Sequence, residues 1–182
     1  MAEQPTVGGS DGSWGTTLNT YLSVGHSAAG VPNYAGLTAQ VVNTQVATYS
    51  ALGTGFPIDD TIPQITEGTE VMTLAITPKS VTNKLKITVV CNLSADGTSS
   101  LGVGLFQDAT AGALNAAYGY SAGPADGSPV TFTHYMTSGT TSATTFRVRA
   151  GNAAGSANFN GGAARMFGGI MYSSITIEEI WV

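Results

Sequence analysis

"KLKITVVCNLS" (84–94) decides the fold. Leu85, Ile87, Val89, Cys91 and Leu93 fall on one side of an extended chain, and Lys84, Lys86, Thr88, Val90 and Asn92 on the other. A period of two with one apolar face is the pattern of a half-buried strand. The same period runs outward in both directions. "VMTLAIT" (71–77) alternates Met72, Leu74 and Ile76 against Val71, Thr73 and Ala75. "PVTFTHYMTSG" (129–139) sets Val130, Phe132, His134 and Met136 against threonines and Tyr135. "TTFRVRAGN" (144–152) turns Phe146 and Val148 inward and Arg147 and Arg149 outward. Segments 101–107, 114–121, 156–160, 165–172 and 174–182 are further strand candidates, separated by the turn clusters "ADGTSS", "GPADGSP", "TSGTTSA" and "GNAAGS". Eight or nine short, unevenly spaced strands predict an all-β, jelly-roll-like β-sandwich with Greek-key connections.

Composition narrows the function. Charged residues make up 9% of the 182, and glycine supplies 24 positions. Ordinary soluble domains carry about 25% charge, so this surface is built of hydroxyls and amides. Six basic residues and a net charge of −5 argue against nucleic acid, which needs a Lys/Arg patch. No apolar run approaches the ~18–20 residues of a membrane span. The start "MAEQPTVGGSDG" lacks the basic and apolar regions of a signal peptide. A single cysteine, Cys91, excludes internal disulfides.

The first third differs from the rest. Residues 1–55 hold two charged residues, Glu3 and Asp11, while every basic residue and the other nine acids follow. Together with "GTGFPIDD" (53–60), this shift predicts a boundary between an N-terminal segment, 1–55, and a β-domain, 56–182. In "WGTTLNTYLSVGHSAAG" (14–30), Trp14, Leu18, Tyr21 and Leu22 recur at helical spacing, which predicts a short helix over about 14–24 with Asp11 or Ser13 as cap and Gly25 as stop. A helix that short is marginal alone. Its stripe is therefore expected to dock on another protein or a neighbouring subunit rather than on its own β-domain. "QVVNTQVATYSAL" (40–52) reads as helical through Val42, Val46 and Tyr49, with a strand as the alternative.

These residues carry a resemblance. "GGSDGSWGTTLNTYLSVGHSAAG" (8–30) resembles a segment near the N-termini of bacteriophage tail-fibre and other virion structural proteins. "FPIDDTIPQITEGTEVMTLAITPKSVTNKLKITVVCNLS" (56–94), "TFTHYMTSGTTSATTFRVRAG" (131–151) and "FGGIMYSSITIEEIWV" (167–182) resemble the β-domain that follows it. His26-Ser27-Ala28-Ala29-Gly30 departs from the pattern by lacking its acidic turn. The resemblance implies a homotrimeric jelly-roll knob on the virion surface, made in a bacterial cytoplasm and attached through its N-terminal segment to another virion protein of the tail or capsid. It implies no catalytic residue and no cofactor. Three roles stay open: a short tail fibre or spike, a capsid decoration or head-fibre protein, and a carbohydrate-binding module outside a virus.

The chemistry-bearing residues read as structural. His134 shares an apolar face with Phe132 and Met136, His26 lies far away in sequence, and Cys91 is expected as a buried, inert thiol. Asp59-Asp60 fit turn capping, with a hard cation as the alternative. Gly102 and Gly104 in "LGVGLF" are expected to admit a close neighbour rather than a phosphate. Glu178 and Glu179 alternate across a strand, so they form no acid/base pair. Apolar residues on both faces of the last strand assign Ile175, Ile177, Ile180 and Trp181 to a trimer interface. Tyr118, Tyr120 and Tyr135 are the candidates for contact with a host surface glycan, with cross-strand packing as the alternative.

Overall fold

A computed structural model of the chain describes residues 34–123, 126–153 and 156–182. The predicted helix, with Trp14, Leu18, Tyr21 and Leu22, lies outside the described residues. Among the described residues, ten strands form two sheets. They are β1 (Thr38–Val46), β2 (Ser50–Leu52), β3 (Thr69–Ile76), β4 (Lys84–Ala95), β5 (Ser99–Gln107), β6 (Asn115–Ser121), β7 (Ser128–Thr137), β8 (Thr144–Asn152), β9 (Ala157–Phe159) and β10 (Ser173–Ile180). One sheet runs β1-β10-β4-β9-β2 with β7 on the other side of β4; the second runs β3-β8-β5-β6. All pairings are antiparallel, and the chain crosses repeatedly between sheets, which makes an all-β, jelly-roll-like sandwich.

β4 is the hub. Thr88 pairs with Thr176 of β10 on one side and Thr133 of β7 on the other, and Leu93 pairs with Phe159 of β9. The alternation read at 84–94 holds: Leu85, Ile87, Val89, Cys91 and Leu93 are buried, facing Leu101, Val103 and Leu105 of β5 and Phe146 and Val148 of β8 within one core. Burying each such side chain contributes about 1.5–3 kcal/mol, which is why the phase of this strand is fixed.

Three expectations fail. Segment 40–52 is not helical: β1 pairs with β10 from Thr38 to Val46, and β2 pairs with β9. The sandwich therefore begins before residue 56, and the boundary drawn between 55 and 56 does not separate it from an attachment segment. Segment 165–172 is not a strand. It carries a single 3-10 turn, Phe167–Gly169, with positive φ at Phe167, Gly168 and Gly169, a conformation that cannot continue a ladder.

The stretch 53–68 is a strap across the outer face of the four-stranded sheet. Phe56 and Phe106 are fully buried, yet neither belongs to the core between the sheets. Phe56 lies on glycines. A Cβ on Gly102 would collide with Phe56 and Ile58; one on Gly68 would sit 2.8 Å from the Phe56 ring, and one on Gly151 2.5 Å from the Thr54 carbonyl oxygen. Gly102 and Gly104 thus admit a close neighbour, which is the chain's own Phe56. Backbone bonds from Phe56 N to Asn152 O and Gly68 N to Gly55 O close the strap. Arg149 donates to the carbonyls of Glu67 (2.9 Å) and Gly68 (2.7 Å), while Glu70 pairs with Arg147 and Arg149.

Candidate functional site

The strap and β6 bound a groove. Ala113 N donates to Pro63 O, Ile65 N donates to Ala111 O, and Gln64 bridges Gly112. These bonds hold the strap rigidly beside the edge strand. Between them lie two adjoining hollows of about 340 and 180 Å³ that share Asp59, Thr61, Pro63 and Ala116. Asp60 and Asn115 border the larger hollow, and Tyr118 with Pro57 and Ile58 borders the smaller. Asp59 Oδ1 accepts from Thr61 N (2.9 Å) and from the Thr61 hydroxyl (2.5 Å), the turn capping read from the sequence. Asn115 is also committed, donating to Thr133 O and accepting from Ala116 N. Asp60 and the Tyr118 hydroxyl have no hydrogen-bond partner among the described residues. No Lys or Arg lines either hollow.

The three tyrosines are exposed, Tyr118 at 69% and Tyr120 and Tyr135 at 60% each. Tyr118 and Tyr120 stand on the outward side of β6, opposite Gly102 and Ser100; Phe56 and Ile58 of the strap fill the space over Gly102, and the Tyr118 ring stays exposed beside them. Only Tyr118 borders the groove. Tyr135 belongs to the other sheet, in register with Lys86 and Glu178. Sequence reasoning found Tyr118 but not its setting. The glycines of β5 were the available signal, because a strand that opens space on one face requires a large side chain to fill it.

The C-terminal strand divides differently from the expectation. Ile175 and Ile177 are completely buried in the core of their own chain, so they are not available to another subunit. Their parity matches Leu85 and Ile87 across the ladder. Ile180 and Trp181 are half-buried. The Trp181 ring lies 5.7 Å from that of Tyr34, and its backbone bonds to Gly36 and Leu37. The chain thus comes in beside its own C-terminus, where Leu37 and Val182 are exposed.

The titratable groups have structural settings. Glu178 pairs with Lys86 at 2.8 Å. Glu179 faces the interior and is fully buried. It accepts from Asn83 Nδ2 (2.6 Å), Gln40 Nε2 (2.6 Å), Lys79 N (2.8 Å) and Ser80 N (3.3 Å). Burial alone raises its pKa, but these donors outweigh burial and hold it below the ordinary carboxylate value. Sequence reasoning separated the two glutamates correctly and missed that Glu179 ties the loop between β3 and β4 to β1 and β10. Burial lowers the pKa of His134 and raises that of Cys91, as for a neutral imidazole and an un-ionised thiol. Among the described residues, no three His, Cys, Asp or Glu side chains gather as metal ligands.

No family model and no curated protein matches the chain. Among solved structures, it is similar to the insecticidal delta-endotoxin Cry8Ea1 of Bacillus thuringiensis (8% identity, TM-score 0.36), over 76% of this chain and 20% of the toxin. It is similar to the tumour necrosis factor Eiger of S. frugiperda (11%, TM-score 0.43), over 78% of this chain and 93% of that one. It is also similar to a chain of the infectious bursal disease virus Gt strain structure (10%, TM-score 0.41), over 81% of this chain and 39% of the viral one. The chain thus spans a fifth of the toxin and two-fifths of the viral protein. Likenesses this distant bear on neither activity nor partner.

Proposed function

We propose that the chain is a non-enzymatic structural protein of a tailed-phage virion, a homotrimer anchored through its N-terminal segment and displaying the β-sandwich as a short tail fibre or spike. The observation that carries this reading is the polarity of the sandwich. The chain comes in at one corner, where Tyr34 packs on Trp181, and the 163–172 loop lies at the other end of β10. An anchor before Tyr34 leaves that far end free to face a receptor. The corner also gathers Leu37, Ile180, Trp181 and Val182, all partly or largely exposed, which supports it as the contact between subunits in place of Ile175 and Ile177. The segmental resemblance at 8–30 supports the anchor. In light scattering, the full chain is expected at about three times its 18.4 kDa; a monodisperse monomer at micromolar concentration overturns the trimer. Immunogold labelling of phage particles tests the location.

One observation favours a second reading, capsid decoration. Among the described residues the sandwich starts at Thr38, directly after the Tyr34 contact, and the sequence carries no long coiled-coil or collagen-like repeat, which supports a domain held close to its anchor. Copy number per particle separates the readings, high for a shell protein and low for a fibre.

A further inference from the structure

We infer that the groove between the strap and β6 binds a neutral saccharide, with Tyr118 as the stacking platform and Asp60 as the hydroxyl acceptor. The inference deepens the displayed-domain reading and rests on it only for the surface that carries the saccharide. Three features of the groove select the ligand. First, Tyr118 exposes a ring at the groove's border, beside Phe56 and Ile58 of the strap. An exposed aromatic face beside an unpartnered hydroxyl matches a pyranose, which has one apolar C–H face and a polar rim. Second, the groove carries the carboxylates of Asp59 and Asp60 and no base. Sialylated or phosphorylated glycans and nucleotides would meet only repulsion there. A cationic peptide has less to gain than a sugar. Asp59 already spends one oxygen on Thr61, and an exposed ion pair with Asp60 contributes little in water. Third, the groove is preformed. The backbone bonds of Ala113, Ile65 and Gln64 and the packing of Phe56 on its glycines fix both walls, so little ordering cost falls on binding. Its two hollows adjoin and stay open to solvent, which suits a short oligosaccharide with one side remaining hydrated.

The full chain is tested against immobilised neutral oligosaccharides of glucose, galactose and mannose, with 3′-sialyllactose as the anionic probe and trilysine as the cationic probe. Binding to at least one neutral saccharide is expected. Tyr118→Ala and Asp60→Asn are each expected to weaken it by about tenfold or more, Tyr118→Phe by less than Tyr118→Ala, and Tyr120→Ala and Tyr135→Ala not at all. All four sites are exposed, so unchanged thermal unfolding accompanies each variant. No binding to any neutral saccharide, binding unmoved by Tyr118→Ala, or binding to trilysine or sialyllactose alone overturns the inference. Trimer mass and particle labelling are unaffected by Tyr118→Ala, so this site and the virion reading fail separately.

Discussion

The two sheets solve the problem of their outer faces in opposite ways. On the four-stranded sheet, β5 presents Gly102 and Gly104 outward, and Phe56 fills the space they leave. On the six-stranded sheet, β1, β10, β4 and β7 present rows in register. Asn43, Thr176, Thr88 and Thr133 form one row, and Gln45, Ser174, Val90 and Thr131 the next. Side chains there are small, largely hydroxyl or amide, and partly or fully exposed. Where a face will be covered, the strand removes its side chains so that an aromatic ring can come close; where it stays open, the strand keeps β-branched hydroxyls that hold the pleat and meet water. Charge plays little part in either. The Arg147, Arg149 and Glu70 cluster steadies the strap's return, and the Lys86–Glu178 pair stands alone among the open rows.

The covered face should be the sensitive one. Phe56→Ala leaves a hole over Gly102, Gly104, Gly68 and Gly151 and frees the strap, so it is expected to cost about 3–5 kcal/mol, measured by denaturant unfolding. Gly102→Val pushes against the same ring from below and is expected to cost about 1–3 kcal/mol or more. Either variant unfolding within about 0.5 kcal/mol of the parent would mean that the strap lies loosely on the sheet. The contrast between the faces would then be lost.

That contrast was half legible in the sequence. Strands with a clean period of two, such as 84–94 and 144–152, declared both their structure and their buried side. β1 did not, because Val42 and Val46 are four residues apart, a spacing in phase with both a helix and a strand. Tyr49 then tipped the pattern toward helix. In the structure Tyr49 lies beyond β1, and its hydroxyl bonds to Asn158 and Ala163. The change in charge near 53–60 looked like a boundary, yet charge distribution reports which surfaces meet water and not where chain pairing stops. Gly53, Gly55 and Pro57 mark the strap's course over the sheet. The glycines of β5 foretold a close neighbour but not its identity. The groove was invisible, because it depends on where the strap comes to rest beside β6.

The loop between β3 and β4 offers an intermediate case, a crossover between sheets covered by hydrogen bonds instead of an aromatic ring. Glu179 receives Asn83, Gln40 and the amides of Lys79 and Ser80. Glu179→Ala leaves those donors unpaired and is expected to cost about 1–3 kcal/mol. The pH dependence follows from the lowered pKa. A carboxyl that ionises more readily folded than unfolded contributes stability that is fully present above its unfolded pKa, about 4.3, and is lost as pH falls through the lower folded value. Unfolding titrations between pH 6 and 2.5 are therefore expected to show an acid loss in the parent that is smaller in Glu179→Gln. Parallel acid profiles in the two proteins would remove Glu179 as its source.

The smallest effect belongs to the open face. Thr133 is exposed on β7, and its hydroxyl lies 3.4 Å from that of Thr88, the long limit of a hydrogen bond between groups that water also serves. Thr133→Val keeps the β-branched shape and is expected to change stability by no more than about 0.5 kcal/mol, in either direction. Thr131→Val, one row along, should behave alike. The measurement sharpens the comparison because its failure has a direction. A gain or loss beyond about 1 kcal/mol would show that this face is not solvated but covered, by a second copy or by the residues before Tyr34. Repeating the unfolding at tenfold dilution separates these covers, since only contact between copies weakens with concentration. A difference between variant and parent that stays within about 0.5 kcal/mol at both concentrations leaves the open rows as what their side chains describe, a surface that meets water through hydroxyls.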